Sequence, residues 1–315
     1  MKKIALISTN ALGDTYMSLS TVQPLRSYFG NECEIYLIAD SNCREMAFIA
    51  GVDEVIAIDR KNIFTTLLSF IKLFRKQFDF VFSFFPGRIN SIISLIVRKK
   101  CFSGFRNYAL KENWWINSRE KGIVTGSIRR TFEWNSSEPY LQRIKKSLES
   151  ADISCSEISK PILINKEKKN DNHERYILIH YHSKQKERSL NSHAVCSIIE
   201  YLHKQLSFNI RIVYWGEIEQ SELNMFKIYS YVSLIQNSKL LTTISLIVNA
   251  ELFLCVESFP MHLADAHNAN FLGIFGSSNP QTALQHPENS IIMHNDNLYE
   301  IKGEEIINFL INKIA

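Results

Sequence analysis

Ser8–Asp14 reads STNALGD, set between an apolar run at Ile4–Ile7 and a helical period of Leu19, Val22, Leu25 and Phe29. A strand pattern that breaks at a Gly-containing turn and hands an Asp to the start of a helix is the opening βα unit of an α/β sheet. Such sheets bind ligands at the carboxyl ends of their strands. Gly13 permits close backbone approach or a positive φ, and Asp14 is placed either to cap the helix or to accept a proton.

The same rhythm continues outward. Strand-like runs at 3–8, 34–39, 54–58, 79–84 and 100–102 alternate with helical stretches at 15–29, 62–76 and 88–97, which predicts a parallel sheet with crossover helices. A polar, strand-poor region with Trp114, Trp115, Arg129 and Arg130 follows, then a helix over 135–150. Lys166–Arg175, KEKKNDNHER, reads as a linker. Beyond it strands are expected at 176–181, 210–214, 252–256, 271–275 and 290–293, with helices at 192–206, 238–248, 260–268 and 300–313. The expectation is two Rossmann-like domains, 1–165 and 166–315, with the last helix open to packing back on the first domain.

A chain of 315 residues, 45% hydrophobic and 22% charged, is globular and long enough for two cores. Residues 1–160 carry 23 Lys+Arg against 16 Asp+Glu, whereas 161–315 carry 13 against 16. The basic half is therefore expected to face an anionic partner, either a phosphorylated substrate or an anionic membrane surface. The six cysteines form no CxxC pair and no metal-ligand spacing, as expected of reduced thiols in a cytoplasmic protein. The apolar run near the N-terminus is shorter than a signal-peptide core, and the most apolar later window, Leu240–Val256, is broken by Asn249 and Glu251.

A second segment pairs with the first. Leu252–Ala266, LFLCVESFPMHLADA, is an apolar strand ending in a tight turn, with Pro260 near the start of a helix; IFGSSNP follows at Ile274–Pro280. The amides of Ser258, Phe259 and Met261 would surround the positive end of that helix, a site suited to a diphosphate, with His262 in its first turn. His180 and His182 lie at a strand end.

NALGD at Asn10–Asp14, ESFPMHLADA at Glu257–Ala266 and IFGSSNP together resemble glycosyltransferase family 9, the lipopolysaccharide heptosyltransferases of the GT-B fold. The resemblance implies two Rossmann-like domains facing each other across a cleft. It also implies inverting transfer of a heptose-like sugar, usually from ADP-heptose, to a lipopolysaccharide core or other bacterial surface glycan, without a metal or other cofactor. The catalytic Asp of the family falls on Asp14. The basic residue near the donor phosphates best matches Arg188, with Lys184 and Lys186 as rivals; the acidic ribose position falls on Glu217 or Glu219. Glu257, Ser258, Phe259, Met261, His262 and Gly276 complete the implied donor site, while Asn10, Gly13, Arg60, Arg88, Arg129 and Arg130 are assigned to an anionic glycan or glycolipid acceptor. The place implied is the cytoplasm, at the inner face of the membrane, with no nucleic acid as partner.

Two positions depart from the family box: Glu257 stands where it has Asp, and Phe259 where it has Gly. A benzyl group in place of Gly is expected to point away from the ligand or to reshape the site. The alternative from another class is a noncatalytic binding or assembly protein with a degenerate donor box. A nucleotide-sugar epimerase or dehydrogenase is a third reading, weakened by the lack of GxGxxG after the first strand.

Overall fold

The computed structural model describes residues 1–59, 62–85, 87–105, 128–132, 135, 137–164, 174–276, 278–292 and 297–314. Two compact units divide the chain at Leu163 and Ile164. Most of the expected linker, and with it Arg60, Trp114 and Trp115, lies outside the described residues.

In the first unit, β1 (Lys2–Ser8), β2 (Cys33–Ala39), β3 (Glu54–Ala57), β4 (Gln77–Ser83), β5 (Arg98–Phe105) and β6 (Ile128–Phe132) form one parallel sheet in the order β3-β2-β1-β4-β5-β6. Ile4, Ala5, Leu6 and Ile7 are at most 1% exposed. A central parallel strand is covered on both faces, so its sequence is continuously apolar and not alternating. One face packs Ala5, Ile7, Ile38, Val81 and Phe102 against Leu73 and Ile93. On β4 the rings of Phe80 and Phe82, and of Phe82 and Phe84, stack at 6.3 and 5.7 Å between centroids, an alternation that places them on one side of the strand.

The helices are α1 (Leu12–Leu19), α2 (Val22–Phe29), α3 (Arg44–Ile49), α4 (Ile63–Arg75), α5 (Arg88–Ile96) and α6 (Tyr140–Ser150). The single helix expected over 15–29 is two. Pro24 lacks an N–H, so it is tolerated only in a first turn; the chain breaks at Ser20–Thr21 and restarts two residues before it. Strand β6 lies in the stretch read as strand-poor. It pairs only with β5, and an edge strand of this kind tolerates the charged run Arg129–Arg130.

The second unit repeats the plan. β7 (Tyr176–His180), β8 (Asn209–Tyr214), β9 (Val232–Gln236), β10 (Leu252–Val256), β11 (Phe271–Phe275) and β12 (Ser290–Ile292) are parallel in the order β12-β11-β10-β7-β8-β9. Its helices are α7 (Ser192–Leu206), α8 (Gln220–Lys227), α9 (Leu240–Asn249), α10 (Phe259–Ala266), the single turn α11 (Pro280–Ala283) and α12 (Gly303–Ile314). β9 and α8 were not legible in the sequence. The last helix packs on its own unit, where Ile306 and Leu310 join Ile198, Ile199 and Leu202 of α7 in one core. The approach is close enough that a Cβ on Gly303 would lie 2.5 Å from that of Ser197 and 2.9 Å from the Ala194 carbonyl oxygen.

Counted from its own first strand, each sheet runs 3-2-1-4-5-6. The strand order reverses between β1 and β4 in one unit and between β7 and β10 in the other. Loops leaving the carboxyl ends there diverge to opposite faces and leave a crevice, which is where such sheets hold ligands.

Candidate functional site

At the first reversal point, the β1–α1 turn is braced from α5. The Oδ1 of Asn90, a residue 1% exposed, accepts the Thr9 amide at 2.9 Å and the Thr9 hydroxyl at 2.7 Å, while its Nδ2 donates to the Phe85 carbonyl at 3.1 Å. The Asn10 amide lies against Gly87, where a Cβ would meet its Oδ1 at 2.4 Å. Any side chain at 87 would have to displace the Asn10 carboxamide.

Asp14 is the third residue of α1, whose N-cap is Ala11, a residue with no side-chain acceptor. The half-buried carboxylate accepts hydrogen bonds from the Ala11 amide and the Asn10 side chain, so it serves the helix end from within, as the acid of a capping box does. Burial raises its pKa above the ordinary carboxylate range, and the two hydrogen bonds offset only part of that rise. Capping and proton acceptance are therefore compatible in one residue. Gly13 is in the first helical turn, without the positive φ considered from sequence.

Of the arginines assigned to an acceptor, Arg88 is exposed on the first residue of α5, beside Gly87. Arg130 is not brought to this point. It lies on the edge strand, 3.5 Å from Asp152 and with Nη1 3.8 Å from the Cys101 Sγ. The backbone of Arg129 pairs opposite Phe102; its side chain is outside the described residues, as is all of Arg60.

At the second reversal point three loops are tied by Glu257. Arg188, at the end of a short 3-10 turn after β7, places Nη1 3.3 Å from Glu257 Oε1. The other carboxylate oxygen accepts the hydroxyl of Ser278, from the turn after β11. Glu257 is nearly buried, whereas the Arg188 side chain is 45% exposed, so the guanidinium keeps donors available to solvent or an anion.

The start of α10 is less open than the sequence suggested. Ser258 spends its hydroxyl on the Val256 carbonyl (2.9 Å) and does not cap the helix. Pro260 has no N–H, and the Met261 amide donates back to the Ser258 carbonyl at 3.2 Å. Met261 is fully buried with its thioether over Gly273, so its side chain belongs to the core. Phe259 is half-buried and His262 is 8% exposed. Gly276 directly follows β11.

Lys186 holds its ammonium 4.2 Å from the centre of the Tyr299 ring, a contact that Arg188 does not share, and Lys184 is exposed. Glu217 and Glu219 are exposed on the turn after β8. That turn is fixed by Gly216 at φ +88°, whose amide donates to Asn237 Oδ1 at 2.9 Å. Sequence reasoning missed Asn90, Ser278, Glu222, whose Oε1 lies 3.7 Å from the His182 Nε2, and Asp265. Asp265 is 1% exposed and accepts the amides of Gln285 and His286 at 2.8 and 3.0 Å. The available signal was an Asp or Asn inside an otherwise apolar helix period, which must find buried partners.

His180 is structural. Its Nδ1–H donates to the Val213 carbonyl at 2.9 Å, its ring meets Trp215 edge-on, and burial pushes its pKa down to about 4. The unfolded chain, with an ordinary value near 6.5, takes up the proton first as pH falls. The neutral-His contribution is thus present above about 6.5 and is lost progressively down to about 4, a change on the order of 3 kcal/mol. Urea unfolding at neutral pH and near pH 4.5 should show a smaller acid loss for His180→Gln than for the wild type.

Among the described residues no three His, Cys, Asp or Glu side chains come together as a metal-ligand set, and no helix is long and apolar enough to cross a membrane.

Residues 165–306 match the family model of Glycosyltransferase family 9 (heptosyltransferase). None of the curated proteins matches the chain by sequence. Among solved structures, a glycosyl transferase family 9 protein from Veillonella parvula superposes with a TM-score of 0.75 at 13% identity, covering 98% of this chain and 95% of the other. The E. coli heptosyltransferase WaaC with ADP gives 0.70 at 12%, covering 99% and 98%, and the E. coli ADP-heptose lps heptosyltransferase II gives 0.69 at 14%, covering 100% of both. WaaC with ADP-2-deoxy-2-fluoro heptose gives the same 0.70. At these identities the superpositions establish the fold, that of the GT-B heptosyltransferases.

Proposed function

From the match of residues 165–306 to the family model of glycosyltransferase family 9, we propose that the chain is an inverting glycosyltransferase. It moves a heptose-like sugar from a nucleotide diphosphate, ADP-heptose first among candidates, to a lipopolysaccharide core or related bacterial surface glycan at the inner face of the cytoplasmic membrane. The observation that carries this reading is that Arg188, Glu257 and Ser278 meet at the reversal point of the very sheet that the family model spans. A half-exposed guanidinium anchored by a buried carboxylate is suited to a diphosphate, and E. coli WaaC has been determined with ADP bound.

In the proposed reaction an acceptor hydroxyl attacks the anomeric carbon from the face opposite the diphosphate. The new C–O bond forms as the bond to the phosphate oxygen breaks; the hydroxyl proton passes to Asp14 and the nucleoside diphosphate leaves with the electron pair. The raised pKa of Asp14 makes it a better proton acceptor than a solvated carboxylate at the cost of requiring a higher pH to be ionised. Charge gathering on the leaving group is met by Arg188 and by the amino end of α10. Arg88, exposed beside Asn10 and Gly87, is the acceptor-side cation favoured by position.

Calorimetric titration with a panel of nucleotides and nucleotide sugars, followed by mass-spectrometric transfer assays with and without EDTA, tests the reading. The expected result is affinity for an adenine nucleotide sugar and transfer that EDTA leaves intact. No affinity for any panel member would favour the noncatalytic binding protein, and a strict cation requirement would remove the role assigned to Arg188 and α10.

A further inference from the structure

Among the described residues, helix α4, IFTTLLSFIKLFR, packs one side on the sheet and leaves an apolar side uncovered. Leu73 is buried and Phe70 packs beside it in the sheet core, while the hydroxyls of Thr66 and Ser69 donate to the carbonyls of Asp59 and Ala57 at 2.6 Å. On the other side Phe64, Leu67, Leu68, Ile71 and Phe74 are all between 41% and 69% exposed. At about 100° per residue these five fall within one arc of about 120°. Single exposed apolar residues are ordinary, but five on one continuous stripe of a 13-residue helix are not.

The charges around the stripe narrow its partner. The helix carries no Asp or Glu, and its exposed cations are both in the last turn, Lys72 about 40° outside the arc and Arg75 in line with the stripe at its carboxyl end. The N-terminal 160 residues have an excess of seven basic groups. A two-fold contact between copies of this helix would bring Lys72 and Arg75 against their own images if parallel, or over the positive amino end of the other copy if antiparallel, like-charge arrangements in both cases. At about 20 Å the helix is too short to span a bilayer, whereas an apolar stripe ending in two cations suits the headgroup layer of an anionic one. We propose that α4 is a membrane-docking helix that lies along an anionic lipid surface, with Phe64, Leu67, Leu68, Ile71 and Phe74 inserted among the acyl chains and Lys72 and Arg75 at the phosphates.

This inference goes beyond the transferase reading and does not rest on it. Flotation of the full chain with vesicles rich in phosphatidylglycerol, and separately with phosphatidylcholine vesicles, tests it without any activity measurement. The chain is expected to float with the anionic vesicles and roughly tenfold less well with the neutral ones. Phe64→Ser combined with Leu67→Ser and Phe74→Ser should weaken binding to both by roughly a hundredfold, since three inserted side chains lose their apolar burial. Lys72→Glu with Arg75→Glu should weaken only the anionic binding, by roughly tenfold or more. All five positions are exposed, so the variants are expected to fold, which circular dichroism checks. No binding to anionic vesicles, or binding that survives the triple serine change, overturns the proposal. So does a dimer in sedimentation velocity that the serine changes abolish without any vesicle binding. Nucleotide-sugar affinity is a property of the other unit, so failure here and failure of the transferase reading are told apart by the calorimetric panel.

Discussion

Replacing Asp14 by Asn should lower sugar transfer by roughly a thousandfold, the scale expected when a positioned general base is removed. Adenine-nucleotide affinity and the thermal midpoint should remain near those of the wild type. The carboxamide keeps an oxygen that can accept the Ala11 amide, so the helix end retains its partner, and what disappears is the capacity to take a proton. The wild-type pH profile carries a second signature. Because burial raises the pKa of Asp14, the acid limb of the rate profile should lie above the position of a solvated carboxylate. Asn10→Ala removes a hydrogen bond that favours the charged form, so it should move that limb to still higher pH. Near-native turnover in Asp14→Asn, measured with a donor and acceptor that the wild type uses, would reduce Asp14 to a helix-end residue.

How much of this was legible in the sequence depended on which physical constraint each segment obeys. Ile4–Ile7 and Leu252–Val256 are central strands with both faces covered, and their continuous apolar runs announce them. Val232–Gln236 and Ile128–Phe132 are edge strands, which tolerate Ser, Gln and Arg, and the first of them is only partly buried, so no period singles them out. The break between α1 and α2 has its signal in Pro24, which the apolar period of Leu19, Val22, Leu25 and Phe29 runs across. Through resemblance, NALGD points to Asp14, ESFPMHLADA to Glu257, and KQKERSLNS to Arg188 with Lys184 and Lys186 as rivals. The brace from Asn90, the hydroxyl of Ser278 and the Tyr299 ring over Lys186 join residues far apart in the chain, and only the fold brings them together. Met261 joins both kinds of information: its place in the motif was legible, while the packing of its side chain into the space left by Gly273 was not. In α4 the apolar arc marks a helix, and its period would send that arc to the core, whereas the sheet covers the side that carries Thr66, Ser69 and Leu73.

Arg188→Ala should cost roughly 10²- to 10³-fold in kcat/KM, the range seen when one preorganised donor to developing negative charge is lost. Two roles predict different patterns. If Arg188 stabilises the leaving diphosphate, kcat falls more than nucleotide affinity does, and Lys at this position recovers activity in part, since a point charge keeps the attraction but not the planar fork. If Arg188 serves only to neutralise Glu257, the damage is structural. The stability cost of breaking the pair is then the main effect, and it is small, about 1 kcal/mol or less, because the arginine is 45% exposed and screened by solvent. The double change Arg188→Ala with Glu257→Gln separates the two. It removes the unpaired carboxylate while Gln retains an oxygen for the Ser278 hydroxyl, so stability should return to near the wild-type level. Transfer should stay as low as in Arg188→Ala alone, because the missing guanidinium acts on the leaving group and not on its anchor. Recovery of transfer in the double variant would assign Arg188 to the fold of this turn and leave the leaving diphosphate to the amino end of α10.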